Sequence, residues 1–358
     1  VKAIVLVGGE GTRLRPLTLS TPKQMLPIVE QPMIERVLGH LAAHGIEEAV
    51  LSLGYLPGAF IKAYPDGVAA GVRISYAVEP EPLDTAGAVR FAAAQAGVEE
   101  TFVVVNGDVL TDMDLTALVA FHREHEAEGT LSLHPVTDPS AFGVVPTDAE
   151  GRVTAFVEKP PRDEAPTNLI NAGTYVLEPS FLGRVPEGRR VSVERETFPG
   201  MVRDRSLFAL ADEAYWLDTG TPADYLQAHR DLVEGRRGEP PISGARRLMG
   251  TVWVIGSPAI AGETAGASLV ADGATVAEGA RVESSVIGPG CVVEAAARVT
   301  GSVLLAGARV AAGSSVAGSV LGCGVTVGER CDVRPISVLG QRTVLASGTT
   351  LDGERVPG

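Results

Sequence analysis

Cysteine, lysine and aromatic residues are scarce in this 358-residue sequence, and long apolar runs are missing altogether. Its three cysteines, Cys291, Cys323 and Cys331, form no Cys-x-x-Cys pair, which argues against a disulfide scaffold or a thiolate metal site and leaves them as small buried residues. No stretch approaches the roughly 20 apolar residues of a membrane span. The first residues read as a core strand without a basic-then-apolar leader, so the expected location is cytoplasmic. A net charge of −14 argues against nucleic acid or an anionic membrane as partner, since both select a basic surface. Only four of the 30 basic residues are lysines, at Lys2, Lys23, Lys62 and Lys159. Lysine is a compact point charge, and its retention at Lys23 and Lys159 marks those positions for scrutiny. All six histidines lie at or before His229, outside the motifs below, so a histidine nucleophile or base is not expected.

What is present starts at the first residue. The β-branched run 3–7 reads as a buried strand and empties into Gly8-Gly9-Glu10-Gly11-Thr12-Arg13-Leu14-Arg15-Pro16, followed by Thr21-Pro22-Lys23. Glycines there allow a sharp turn that brings N–H donors close to phosphate oxygens, with Arg13, Arg15 and Lys23 supplying charge. No Gly-Lys-Ser/Thr follows, and Leu14 stands where a dinucleotide fingerprint needs a third glycine, so neither common phosphate motif applies. Residues 1 to about 135 alternate strands (3–7, 49–53, 73–77, 102–105, 130–134) with helices (33–44, 86–96, 115–128), the pattern of a parallel sheet covered on both faces. Ligands of such sheets bind beyond the strands' carboxyl ends. Glu79 follows the third strand and leads to Asp84-Thr85-Ala86-Gly87. Asp108 ends the fourth, in Asn106-Gly107-Asp108, where a carboxylate facing a phosphate loop suits magnesium. Asp114 reads as the N-cap of the helix that follows it. From about 136 shorter strands suggest an insertion over the sheet's open end, with a strand at 153–157. Helices are expected at 192–203 and 223–234, the latter capped by Thr221-Pro222.

The string Gly8 to Thr18, then Phe142-Gly143-Val144-Val145, Val157-Glu158-Lys159-Pro160 and Asn171-Ala172-Gly173 in that order, resembles the sugar-1-phosphate nucleotidyltransferases, and most nearly their hexapeptide-tailed mannose-1-phosphate guanylyltransferases. The resemblance implies a Rossmann-like, mostly parallel α/β domain that condenses a nucleoside triphosphate with a sugar-1-phosphate, releasing pyrophosphate. It implies nucleotide contacts at Leu6, Gly8, Gly9, Gly11, Thr12, Arg13, Glu79, Thr85, Ala86 and Gly87. Sugar-phosphate contacts fall at Gly143, Glu158, Lys159, Asn171 and Gly173, and Mg2+ ligands at Asp108 and Asp218. Arg13, Lys23, Asp108 and Asp218 form the implied catalytic set. Relatives that use pyrimidines commonly carry glutamine at Glu79; a carboxylate accepts from guanine N1–H and the exocyclic amine, which favours GTP, the alternative being a solvated loop glutamate, while mannose-1-phosphate is what the nearest resemblance implies. Asp84 departs from the family's usual glycine, which puts a backbone contact with the base in question. Two rivals stand: a uridylyl-, thymidylyl- or adenylyltransferase acting on glucose-1-phosphate, and a non-catalytic nucleotide-sugar sensor, which would be expected to have lost one of the charged residues retained here.

A Pro/Gly-rich break at 235–241 separates this region from one where aliphatic residues recur at steps of six with occasional fives, from Val270 through Ile287, Leu304, Leu321 and Leu339 to Leu351. Ser285-Val286-Ile287 returns as Ser302-Val303-Leu304, Ser319-Val320-Leu321 and Ser337-Val338-Leu339. This is hexapeptide spacing, read as a left-handed parallel β-helix. The expected division is a catalytic domain at 1–234, a linker at 235–249 and the β-helix at 250–358. Without a histidine base the repeats are expected to serve structure, as a homo-oligomer interface, rather than acyl transfer.

Overall fold

The computed structural model describes residues 1–357. Its contacts divide the chain into two compact units, one of residues 1–9 and 34–216, the other of residues 10–33 and 217–358.

The first unit is built on a mixed sheet. Its main strands are β1 (Ala3–Leu6), β2 (Glu48–Leu53), β3 (Val72–Val78), β4 (Phe102–Asn106), β5 (Gly129–Pro135), β6 (Leu169–Leu177) and β7 (Leu207–Ala211), in the order β3-β2-β1-β4-β6-β5-β7. The pairs β1–β2, β1–β4, β2–β3 and β5–β7 are parallel, and β6 runs antiparallel between β4 and β5. Ile4, Val50, Val104, Leu131 and Tyr175 carry the core across the sheet. The order reverses at β1, with β2 on one side and β4 on the other, so the carboxyl ends of β1 and β4 open on the switch point of the sheet. The helices of this unit are α1 (Met33–Ala43), which begins one residue before its break, α2 (Pro57–Ala63), α3 (Asp84–Gln95), α4 (Leu115–Glu124) and α5 (Phe198–Arg203).

Four expectations are corrected here. The region after 136 is not only a cover, because β6 is a nine-residue strand inside the sheet. Residues 153–157 do not form a strand: Val153 makes one isolated bridge to Thr147, and pairing resumes at Val157–Glu158 against Gly143–Val144. The helix at 192–203 is interrupted, with a π-helical turn at Val193–Thr197 preceding α5, and α4 stops at Glu124, with Glu126 at φ 46°.

In the second unit, a two-stranded hairpin (Pro27–Ile28 with Gln31–Pro32) packs on α6 (Pro222–Val233). The Tyr225 hydroxyl donates to the Pro27 carbonyl, and Val29 N–H donates to His229 Nδ1 at 3.2 Å. Thr221 caps α6 by accepting from Asp224 N–H, with Pro222 at its first turn. From Val252 onward three parallel sheets run along the chain, each strand pairing with its equivalent one turn later, the arrangement of a left-handed hexapeptide β-helix. The expected aliphatic positions, from Val270 to Leu351, are all buried. A serine column runs beside them. Ser302 N–H donates to Ser285 Oγ, Ser319 N–H to Ser302 Oγ, and Gly353 N–H to Ser337 Oγ, each at 3.1 Å. Gly307 (φ 71°) illustrates the corners, which need a left-handed residue. Cys291 and Cys331 are buried and Cys323 half-buried, all three as free thiols; burial pushes Cys291 up to about 12.

Candidate active site

At the end of β1 the chain leaves the sheet through Gly8 and Gly9. Among the described residues, the backbone N–H groups from Gly8 to Arg13 donate to no protein acceptor. Consecutive unspent donors in a turn form a concavity suited to an anion. Gly11 sits at φ 62°, where a Cβ would lie 3.0 Å from the Thr18 methyl and 3.1 Å from Lys23 Cβ, so the turn requires glycine. Thr18 Oγ1 donates to the Gly11 carbonyl at 2.8 Å and fixes the turn. Thr12–Leu14 forms one 3-10 turn that carries Arg13.

Within the second unit, Arg13, Lys23 and Asp218 meet. Lys23 Nζ lies 3.4 Å from Asp218 Oδ1, and Arg13 Nη2 3.8 Å from Oδ2. Lys23 is almost fully buried while Arg13 is largely exposed. A buried lysine is tolerated because a carboxylate faces it. Gly220 makes room for this group: a Cβ there would stand 2.4 Å from Arg13 Nη2. The resemblance implied a catalytic set of Arg13, Lys23, Asp108 and Asp218; within the second unit Arg13, Lys23 and Asp218 lie together, and Asp108 belongs to the first unit.

In the first unit, Asp108 occupies the turn after β4, half-buried. Gly107 N–H donates to the Leu6 carbonyl, and a Cβ on Gly107 would collide with Val7, so the end of β4 is seated against the end of β1. Glu79 closes β3 beside Gly8: its Oε1 lies 3.3 Å from where a Gly8 Cβ would be. Oε1 accepts from Ser52 Oγ at 3.2 Å and Oε2 from Leu83 N–H at 3.1 Å. Glu79 is thus a braced carboxylate. Asp84 opens α3 at φ 60°, the conformation for which glycine is usual and which Asp also adopts; its carboxylate accepts from Thr85 N–H and pairs with Arg190 at 3.5 Å. Ala86 and Gly87 N–H both donate to the Val191 carbonyl, so the first donors of α3 are already engaged.

The sugar-phosphate candidates lie on neighbouring strands of the same unit. Asn171 Nδ2 donates to Tyr175 OH at 2.9 Å and its Oδ1 accepts from Gly173 N–H. Gly173 (φ 77°) is packed against Asn106, whose amide nitrogen would be 2.5 Å from a Cβ. Gly143 pairs with Glu158 across the short strands, and Lys159, itself at φ 51°, pairs with Glu158 at 3.5 Å while keeping most of its side chain exposed. Sequence reasoning missed Glu194. On the π-helical turn, its Oε2 accepts from Thr85 Oγ1 at 2.9 Å and Ser192 Oγ at 2.8 Å. Such turns recur at functional positions, but their signal in sequence is only a capping serine, here Ser192.

No three His, Cys, Asp or Glu side chains gather as a metal site among the described residues. Carboxylate oxygens such as those of Asp108 and Asp218 suit a hard divalent ion that takes its other ligands from water and substrate phosphates.

Residues 2–235 match the nucleotidyl transferase family, and the chain belongs to it. Members of this family typically use a divalent metal ion. Residues 264–357 match the GMPPB C-terminal domain. Among named relatives, mannose-1-phosphate guanylyltransferase of Mycobacterium tuberculosis is 43% identical over 299 residues, 80% of this chain and 82% of the relative. Mannose-1-phosphate guanyltransferase of Schizosaccharomyces pombe is 42% identical over 230 residues, 63% of this chain and 62% of that protein. In three dimensions, HddC from Yersinia pseudotuberculosis complexed with GMP-PN is similar at TM-score 0.55 and 27% identity, over 64% of this chain and 98% of that one. No helix among the described residues is long and apolar enough to cross a membrane.

Proposed function

We propose that the chain is a mannose-1-phosphate guanylyltransferase, converting mannose-1-phosphate and GTP to GDP-mannose and pyrophosphate. One observation carries the reading: the run of unspent N–H donors from Gly8 to Arg13 leads directly into the Arg13–Lys23–Asp218 cluster. A sugar-phosphate oxygen attacks the α-phosphorus in line. The new P–O bond forms as the α–β bridging bond breaks, and its electron pair leaves with pyrophosphate. The nucleophile is already anionic, so alignment and charge neutralisation are the protein's contribution. Arg13 holds the departing pyrophosphate, Lys23 the α-phosphate and Lys159 the sugar phosphate. Gly143, Glu158, Asn171 and Gly173 seat the sugar. Leu6, Gly8, Gly9, Gly11, Thr12, Glu79, Thr85, Ala86 and Gly87 line the nucleotide, with Glu79 accepting from guanine. Asp108 and Asp218 would hold Mg2+, which when bound would supply positive charge to the phosphates.

In this reading residues 1–234 form the catalytic domain, 235–249 the linker and 250–358 the β-helix, through which a cytoplasmic homo-oligomer assembles. Pyrophosphate release measured with GTP, ATP, UTP and dTTP, each against mannose-1-phosphate and glucose-1-phosphate, tests the assignment. Highest kcat/KM with GTP and mannose-1-phosphate is expected. Preference for a pyrimidine or for ATP would overturn it, and no release with any pair would favour a sensor.

A further inference from the structure

The β-helix breaks its own repeat at two positions, and both reach the phosphate loop. Along one face the register aligns Leu269, Val286, Val303, Val320 and Val338, all buried, and the next place in that column is Arg355. Pattern alone would put another valine there. Arg355 instead donates from Nη1 to the carbonyl of Arg13 and, at 3.1 Å, to that of Arg15. The corner after each of these strands is occupied in turn by Asp272, Pro289, Ala306 and Cys323, and after Val338 by Gln341, the longest side chain of the series. Gln341 Nε2 donates to Thr21 Oγ1 at 2.8 Å, two residues before Lys23. All of these residues belong to the second unit.

We infer that Arg355 and Gln341 are positioning residues for nucleoside triphosphate binding, acting through the loop that carries Arg13 and Lys23. The inference rests on the reading of that loop as the triphosphate cradle. A guanidinium spanning the carbonyls on both sides of Leu14 fixes the 3-10 turn whose Arg13 side chain lies beside Asp218. Charged donors on carbonyls are the stronger kind of hydrogen bond, and small displacements of a phosphate-holding group are costly in rate. The β-helix is thereby part of the substrate site's support.

Arg355→Val, which restores the repeat, separates this role from a purely structural one. The expected result is a KM for GTP raised about tenfold, as displacement of a phosphate ligand would give. The KM for mannose-1-phosphate should stay within about twofold and the melting temperature should be unchanged or higher. Arg355→Lys should recover part of the loss, and Gln341→Ala should add to it. An unaltered KM for GTP in Arg355→Val overturns the inference, as does an equal rise in both KM values with a lowered melting temperature. Arg13→Ala is measured in parallel. If it raises the KM for GTP while Arg355→Val does not, only the positioning role fails; if neither does, the cradle reading fails and takes the inference with it.

Discussion

Lys23 shows how a single side chain can be legible in sequence while its setting is not. Its rarity and its Thr-Pro-Lys context marked it, but only the fold shows that it is buried against Asp218, 195 residues away. Lys23→Ala should lower kcat by about 100-fold if the amine stabilises charge in the transition state, checked by steady-state pyrophosphate release. Asp108→Asn and Asp218→Asn should each abolish magnesium-dependent turnover, measured by titrating the metal. Gly220 carried no motif signal because its need for glycine is imposed by Arg13 rather than by its own backbone. Gly220→Ala should displace the exposed Arg13 guanidinium, lowering turnover at least about tenfold while leaving the melting temperature nearly unchanged. Asp84 was legible as a departure, and the reason it is tolerated is a backbone angle that no spacing rule reveals.

Strands and helices with a strong period were legible in the sequence, since hydrophobic alternation and burial have one cause. Elements held by unusual turns were not. The hairpin of Pro27–Ile28 and Gln31–Pro32 turns through Val29 and Glu30, both at positive φ, without the Asn-Gly pair that advertises such a turn. The surrounding contacts, including His229 on Val29, impose it. The short strands at 143–144 and 157–158 are too brief to show a period, and the π-helical turn mimics an ordinary helix in composition. Burial in the hairpin raises Glu30 to about 7. Between the ordinary glutamate range and pH 7 the folded chain therefore holds a proton that the unfolded chain releases, and stability falls as pH rises through that window. Glu30→Gln should flatten this decline, read from urea midpoints at pH 5 and pH 8.

At the scale of the whole molecule, two kinds of sequence information produced the two halves of the fold. The first half was legible through ordered motifs, and β6 escaped because a long antiparallel strand inside an otherwise parallel region has no separate signature. The second half was legible through arithmetic, because every aliphatic rung needs an equivalent above and below it. Leu321 is fully buried and pairs in register with Leu304 and Leu339. Leu321→Ala should cost about 2–5 kcal/mol, visible as a lower urea midpoint.

The serine column gives the β-helix a counting device. The hydroxyls of Ser268, Ser285 and Ser302 each accept from the backbone N–H of the serine seventeen residues on, the run ending at Ser319. Slippage by one residue would offer a valine methyl where an oxygen is required. Lengthening or shortening by a complete coil would preserve every hand-over, whereas a single hexapeptide insertion would strand a polar group inside the stack. Growth of this half of the protein is therefore quantised, and the quantum is set by a hydroxyl.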